Sequence, residues 1–255
     1  MSKLHTIFIS LLSFVLLSVF SGPAMGKDKV NLQLIWKNQF QFAGYYVAKE
    51  LGFYDNLGLD VDIKEYESGI NVTRDVVEGK ADFGVGRSSL IVEKMEEKPI
   101  VLLAAIFQHS PIILLAKERP DIQTISDLKG KRIMVADDEV GMASLTAMLM
   151  ANRIGDNDYK KQRHTFNITD LVNEKTDAIA AYISNEPFQM EKQGVDYRVF
   201  SPQAYGFDFY SDILFTSEKM LKENPQLVER FYQASIQGWE YAFANIEKTA
   251  HLIFE

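Results

Sequence analysis

The chain contains no cysteine among its 255 residues. That excludes disulfide staples, thiolate nucleophiles, cysteine-bound metals and lipid attachment through a lipobox cysteine. Histidine is scarce too. Of four in total, only His109, His164 and His251 follow the N-terminal segment, and they match no H-E-x-x-H or similar zinc spacing. Lys and Arg number 27 against 35 Asp and Glu, a net charge of −8. This balance argues against nucleic acid or an anionic membrane surface as a partner, while leaving room for a local basic pocket. There is no phosphate-loop spacing, no Ser-His-Asp order and no paired-carboxylate motif. After Phe20 no apolar run approaches the ~20 residues of a membrane span. Low-complexity tracts and internal repeats are also missing.

What is present begins at the N-terminus. Lys3 precedes an apolar run from Ile7 to Phe20, and Ala24 and Gly26 stand three and one before a cut ahead of Lys27. Residues 1–26 therefore read as a secretory signal peptide, with an uncleaved anchor as the alternative. An exported chain without disulfides is expected in the bacterial periplasm or at the cell surface.

Strand and helix patterns then alternate. Val30–Trp36, Leu59–Tyr66, Ala81–Val85 and Ile100–Phe107 read as strands. Between them Tyr45–Leu51, Asn71–Glu78 and Ser88–Glu97 read as helices, with Ser88 available as an N-cap. A second set follows, with strands at Ile112–Ala116, Arg132–Ala136, Asp177–Tyr182 and Tyr197–Phe200 and helices at Gly141–Ala151 and Glu186–Lys192. Asp212–Thr216 reads as a strand returning to the first set, with helices over Ser217–Lys222 and from Pro225 to about Asn245. The expected fold class is α/β in two lobes, each a mostly parallel sheet flanked by helices, with a ligand cleft between them. One lobe would comprise residues 27–110 and 205–255, the other 111–204. The crossings fall near Ser110–Ala116 and Ala204–Ser211. In such sheets ligands gather at the carboxyl ends of strands.

The segments WKNQFQFAGYYVAKELGFYDNLGLDV (Trp36–Val61), GKADFGVGRSSLIVEK (Gly79–Lys94), DLKGKRIMV (Asp127–Val135), AYISNEPF (Ala181–Phe188) and YGFDFYSDILFTSEK (Tyr205–Lys219) occur in order. Together they resemble the periplasmic type 2 solute-binding proteins for thiamine-pyrimidine precursors, relatives of the sulfonate, nitrate and taurine binders. The resemblance implies a monomer that closes its lobes on a small molecule, an aminopyrimidine, for an ABC permease. It implies no cofactor and no catalysis. The same module resembles extracellular sensor domains of membrane histidine kinases and diguanylate cyclases, which makes a membrane signalling protein the alternative partner. The chain ends at HLIFE, where the resemblance implies further helices, so a truncated product or a fragment of a longer sensor is also expected. A related eukaryotic family makes the thiamine pyrimidine from pyridoxal phosphate with a cysteine-rich motif. This chain lacks cysteine and carries Gln41 near where that family's histidine would be sought.

Several residues fit such a guest chemically. Trp36 offers a face for a flat ring, and reads equally as a core or lobe-interface tryptophan. Gln41 and Asn38 each donate and accept, which suits the edge of a nitrogen heterocycle. Gly86-Arg87-Ser88-Ser89 joins a strand to a helix, where backbone N–H groups favour an anion or carbonyl oxygen and Arg87 adds a charge-assisted contact. Arg87 reads equally as a solvated surface charge. Gln108 and His109 end the apolar strand beside the first crossing, with a hinge role for His109 as the alternative. Asp138 and Gly141 open a helix of the second lobe, Asp138 as a cap. Tyr182, Asn185 and Glu186 end the strand DAIAAY, and a Glu186 carboxylate accepts two donors from an aminopyrimidine edge. Its alternative is a helix-start acid. Tyr205, Asp208, Tyr210 and Asp212 lie in the second crossing, available for the ligand or for fixing the hinge.

Overall fold

Alternation of strand and helix carries through to the tertiary structure. The computed structural model describes residues 26–136 and 142–254. In chain order the elements are β1 (Asp28–Gln33), α1 (Ala43–Glu50), α2 (Phe53–Asn56), β2 (Leu59–Lys64), α3 (Val72–Val77), β3 (Phe83–Gly86), α4 (Ser89–Met95) and β4 (Ile100–Phe107). Then come β5 (Ile112–Lys117), β6 (Arg132–Val135), α5 (Ala143–Ala151), β7 (Lys160–Arg163), α6 (Thr169–Val172), β8 (Ala178–Tyr182), α7 (Glu186–Lys192) and β9 (Tyr197–Phe200). The chain continues through β10 (Ser211–Ser217), α8 (Glu218–Glu223), α9 (Pro225–Ala244) and α10 (Ile246–Phe254).

These strands form two five-stranded sheets, in the orders β2-β1-β3-β10-β4 and β7-β6-β8-β5-β9. The two-lobed α/β architecture holds. The sheets are less uniformly parallel than the sequence suggests, because β10 runs antiparallel to β3 and β4, and β5 antiparallel to β8 and β9. Each is the strand that follows a crossing, so it enters its sheet from the opposite end to the strands connected by helices. Ser88 stands at the N-cap of α4 as expected, but its side chain makes no capping hydrogen bond and its backbone is already helical. Asn71 does cap α3, accepting from the Arg74 N–H.

The first lobe is held by α1 and α9. Tyr45 meets Trp239 edge-on at 5.6 Å, and Phe231 of α9 stacks on Phe83 at 3.9 Å. The second lobe is tied at its edge by Asp177, whose carboxylate accepts from Arg132 Nε at 2.9 Å, Nη2 at 2.9 Å and the Arg132 N–H at 2.8 Å. Arg132, first among the causes, lowers the Asp177 pKa to about 2. A depressed carboxylate stabilises the fold above its unfolded pKa, and that contribution is lost as pH falls from about 4 to about 2. Arg132→Met is therefore expected to cost on the order of 2 kcal/mol at neutral pH and to move acid unfolding to higher pH. Circular dichroism across an acid titration checks this; an unchanged midpoint would remove the pair from the account.

Candidate functional site

The strand ends bring lobe-one and lobe-two side chains together around Trp36. β1 stops at Gln33 rather than at Trp36, and the chain bends over residues 35–39, with the Tyr66 N–H still donating to the Trp36 carbonyl at 3.1 Å. The Trp36 indole is 6% exposed. It meets His164 and Phe166 edge-on, at 5.1 and 4.6 Å, and lies parallel to Tyr182 with ring centres 6.2 Å apart. The Arg87 guanidinium stands 5.6 Å from the Trp36 ring and 5.9 Å from Tyr182. Trp36 thus faces three rings of the second lobe.

Two cavities flank it. The larger, about 580 Å³, is lined from lobe one by Asn38, Gln41, Phe107 and Phe243 and from lobe two by Phe166, Asn185, Glu186 and Phe188. The smaller, about 450 Å³, is lined by Arg87, Ser89, Thr73, Tyr66 and Glu93. Both sizes suit a small organic molecule.

In the larger cavity Glu186 is buried. One carboxylate oxygen accepts from the Tyr182 N–H at 2.8 Å and the other from Asn185 Nδ2 at 3.0 Å. Burial raises its pKa and these donors oppose the rise only in part. Each carboxylate oxygen keeps acceptor capacity for a further donor. In the same cavity, buried Gln41 accepts from Gln39 through Oε1, while its Nε2 donor has no hydrogen-bond partner among the described residues. Gln41 and Glu186 thus bring a side-chain amide and a carboxylate from the two lobes to one cavity. His164 forms part of the wall. Its Nδ1 accepts from the Phe166 N–H at 2.9 Å and its Nε2 lies 2.8 Å from the Ala180 carbonyl, which fixes the neutral tautomer with the proton on Nε2. Burial, the first cause, lowers its pKa further.

The other expected residues fall elsewhere. Gln108 is exposed and donates to the Ala105 carbonyl. Exposed His109 lies 2.6 Å from an Asp208 carboxylate oxygen, linking the two crossings. Tyr205 and Tyr210 are exposed in the second crossing, and Ser88 is half-buried; none of these lines either cavity. Gly141 and Asp138 lie outside the described residues. His164, Phe166, Phe188 and Phe243, unremarked as site residues in the sequence, line the larger cavity. The only signal for the first two is their place after β7, a strand too polar to be read.

Residues 39–249 match the profile described as NMT1/THI5 like. The chain belongs to the NMT1/THI5-like family. Among curated proteins it is 28% identical over 236 residues to the riboflavin-binding protein RibY of Chloroflexus aurantiacus, covering 88% of this chain and 65% of RibY. It is 25% identical to a 4-amino-5-hydroxymethyl-2-methylpyrimidine phosphate synthase of Legionella pneumophila (89% and 73% covered). It is 24% identical to the formylaminopyrimidine-binding protein of Halalkalibacterium halodurans (89% and 70% covered). The chain thus spans about two thirds of the length of these relatives. Among solved structures, the alkanesulfonate-binding protein SsuA of Xanthomonas axonopodis pv. citri aligns with a TM-score of 0.69 at 13% identity, covering 90% of this chain and 79% of that one. That likeness is one of fold, the two-lobed fold of binding proteins.

Proposed function

We propose that this protein captures a planar nitrogen heterocycle, an aminopyrimidine, between lobes of residues 27–110 with 205–255 and of residues 111–204, and presents it to an ABC permease in the periplasm. The observation that carries the reading is that the larger cavity is lined by a side-chain amide from one lobe, Gln41, and by the Glu186 carboxylate from the other. An aminopyrimidine offers a ring nitrogen to the donor and an amino group to the carboxylate, while its face meets Trp36. The formylaminopyrimidine-binding relative supports this assignment. Closure would remove the guest from water and strengthen those few polar contacts. A membrane signalling protein would read the same closed form, and the adjoining gene or domain discriminates the two partners.

The aromatic margin favours a second, larger guest. Phe40, Phe188 and Phe243 stand partly exposed around the same cavity. With its volume of about 580 Å³ they suit a flavin, whose ring system carries a pyrimidine edge of donors and acceptors. RibY supports that reading. We favour capture over catalysis, because His164 is held neutral by two backbone partners. Synthase chemistry with pyridoxal phosphate would give a Schiff-base absorbance band on mixing; we expect none.

Calorimetry with formylaminopyrimidine, hydroxymethyl-aminopyrimidine and riboflavin tests the assignment, with micromolar or tighter binding of at least one expected. Silence across all three would discard it. Glu186→Gln is expected to weaken aminopyrimidine binding at least tenfold, since its amide keeps one acceptor and loses the charge. Unchanged affinity would take Glu186 out of the contact.

A further inference from the structure

Phe166 has φ +60°, in the left-handed region that a bulky side chain rarely enters. That conformation costs free energy, and the surrounding structure has to hold it. The holder is His164. Its Nδ1 accepts from the Phe166 N–H at 2.9 Å, closing the corner that follows β7. The imidazole is itself fixed from two other strands. Its Nε2–H donates to the Ala180 carbonyl of β8 at 2.8 Å, and the His164 N–H donates to the Val135 carbonyl of β6 at 3.0 Å. The corner carries the Phe166 ring edge-on to Trp36 at 4.6 Å, with the Tyr66 ring 5.9 Å away. Phe166 and His164 both line the larger cavity.

We propose that His164 is a positioning residue for the guest: its Nδ1 lone pair keeps Phe166 in the left-handed corner, and the corner keeps the phenyl ring against Trp36 as the second lobe's wall of the larger cavity. This deepens the binding reading above and rests on that cavity being the ligand site. The device needs a neutral imidazole. A protonated His164 turns an Nδ1 proton toward the Phe166 N–H, donor against donor, and the left-handed backbone loses the bond that holds it. The wall then relaxes, and the guest loses the ring packed beside Trp36.

The surroundings favour the neutral form. Burial, first among the causes, and the Arg87 guanidinium just beyond β3 hold the His164 pKa below its ordinary 6.5, against the Ala180 carbonyl, which raises it. Glu186 from α7 and Lys37 from the first lobe line the same cavity, and Lys37 is paired with Glu65 at 3.4 Å. Asp212 of β10, raised by burial to about 7, accepts from the Tyr182 hydroxyl of β8, which burial raises to about 12. The wall is therefore formed at neutral pH, and affinity is lost as pH falls through the His164 pKa. Because Asp212 and Glu186 also titrate, a variant that changes only His164 is the control.

Asparagine and glutamine separate the two ends of the imidazole. In His164→Asn the amide oxygen stands near the place of Nδ1 and still accepts from Phe166, without titrating. In His164→Gln the amide reaches the Ala180 carbonyl, and the acceptor for Phe166 is gone. Riboflavin, whose charge is constant over the range used, and formylaminopyrimidine are the probes. Calorimetry at pH 7.5 should find His164→Asn close to the wild type and His164→Gln weaker by about tenfold or more. Between pH 7.5 and pH 5 the wild type should lose several-fold more riboflavin affinity than His164→Asn. Equal binding by the two variants, equal loss in both, or parallel pH profiles for the wild type and His164→Asn would overturn the inference. If His164→Gln folds poorly, amide exchange in the wild type decides. The Phe166 N–H should be protected at pH 7.5 and lose protection at pH 5; an unprotected amide at pH 7.5 would overturn the inference. If neither probe binds the wild type, the ligand assignment falls and takes the positioning role with it. If a probe binds and the two variants behave alike, only the role of His164 falls.

Discussion

Replacing Trp36 by alanine is expected to lower affinity for the captured heterocycle by two orders of magnitude or more, about 2.7 kcal/mol. Two losses combine. The ligand loses a ring face, and lobe one loses the side chain that meets His164, Phe166 and Tyr182 of lobe two. The indole also lines both cavities. Trp36→Phe should restore part of the affinity, because it keeps a ring. Calorimetry on both variants measures this. A Trp36→Ala protein that binds like the wild type would show that the guest sits elsewhere.

Gly238→Ala is expected to destabilise the protein by about 3 kcal/mol or more, at the upper end of overpacking effects. A Cβ there would lie 2.0 Å from the Gly44 carbonyl oxygen and 2.8 Å from Ala48 Cβ. The neighbour is backbone, so no side-chain rotation relieves the clash. Gly44→Ala meets the same barrier from the other side, with its Cβ 2.2 Å from the Trp239 ring. These two glycines let α1 and α9 touch, and α1 follows directly from the Trp36–Gln41 loop. The damage should therefore reach the ligand site as well as stability. Urea unfolding measures the loss; a variant within 0.5 kcal/mol of the wild type would mean that the helices move apart at little cost.

Much of this frame is legible in the sequence because the elements obey local rules. The bounds of β4, β9 and α7 coincide with those read from periodicity, and Gly52 takes the left-handed conformation (φ +75°) just after α1. What escaped is what depends on the other lobe. The segment KKQR of β7 has neither apolar alternation nor an apolar run. It is an edge strand facing solvent, so no pattern marks it, and the His164–Phe166 corner that follows had no place in the fold. The apolar run of β4 lies at a sheet edge, which composition does not reveal. In the second crossing, residue type drew attention to Tyr205, Asp208 and Tyr210, yet the chain path leaves them at the surface and turns Asp212 inward. Register and backbone dihedral decide that choice, and neither is visible in side-chain chemistry. Trp36, Arg87, Ser89, Asn185 and Glu186 do line the cavities, because they sit at or just beyond strand ends, where the chain leaves the sheet and side chains converge; Gln41 joins them from the 3-10 turn Phe40–Phe42 that follows β1.

The central claim is that one guest is held by both lobes at once. Hydrogen–deuterium exchange with and without saturating formylaminopyrimidine or riboflavin tests it most directly. The account predicts simultaneous protection of residues 36–41 in the first lobe and residues 182–189 in the second. Protection confined to one lobe, or no ligand-dependent change in either segment, would contradict it.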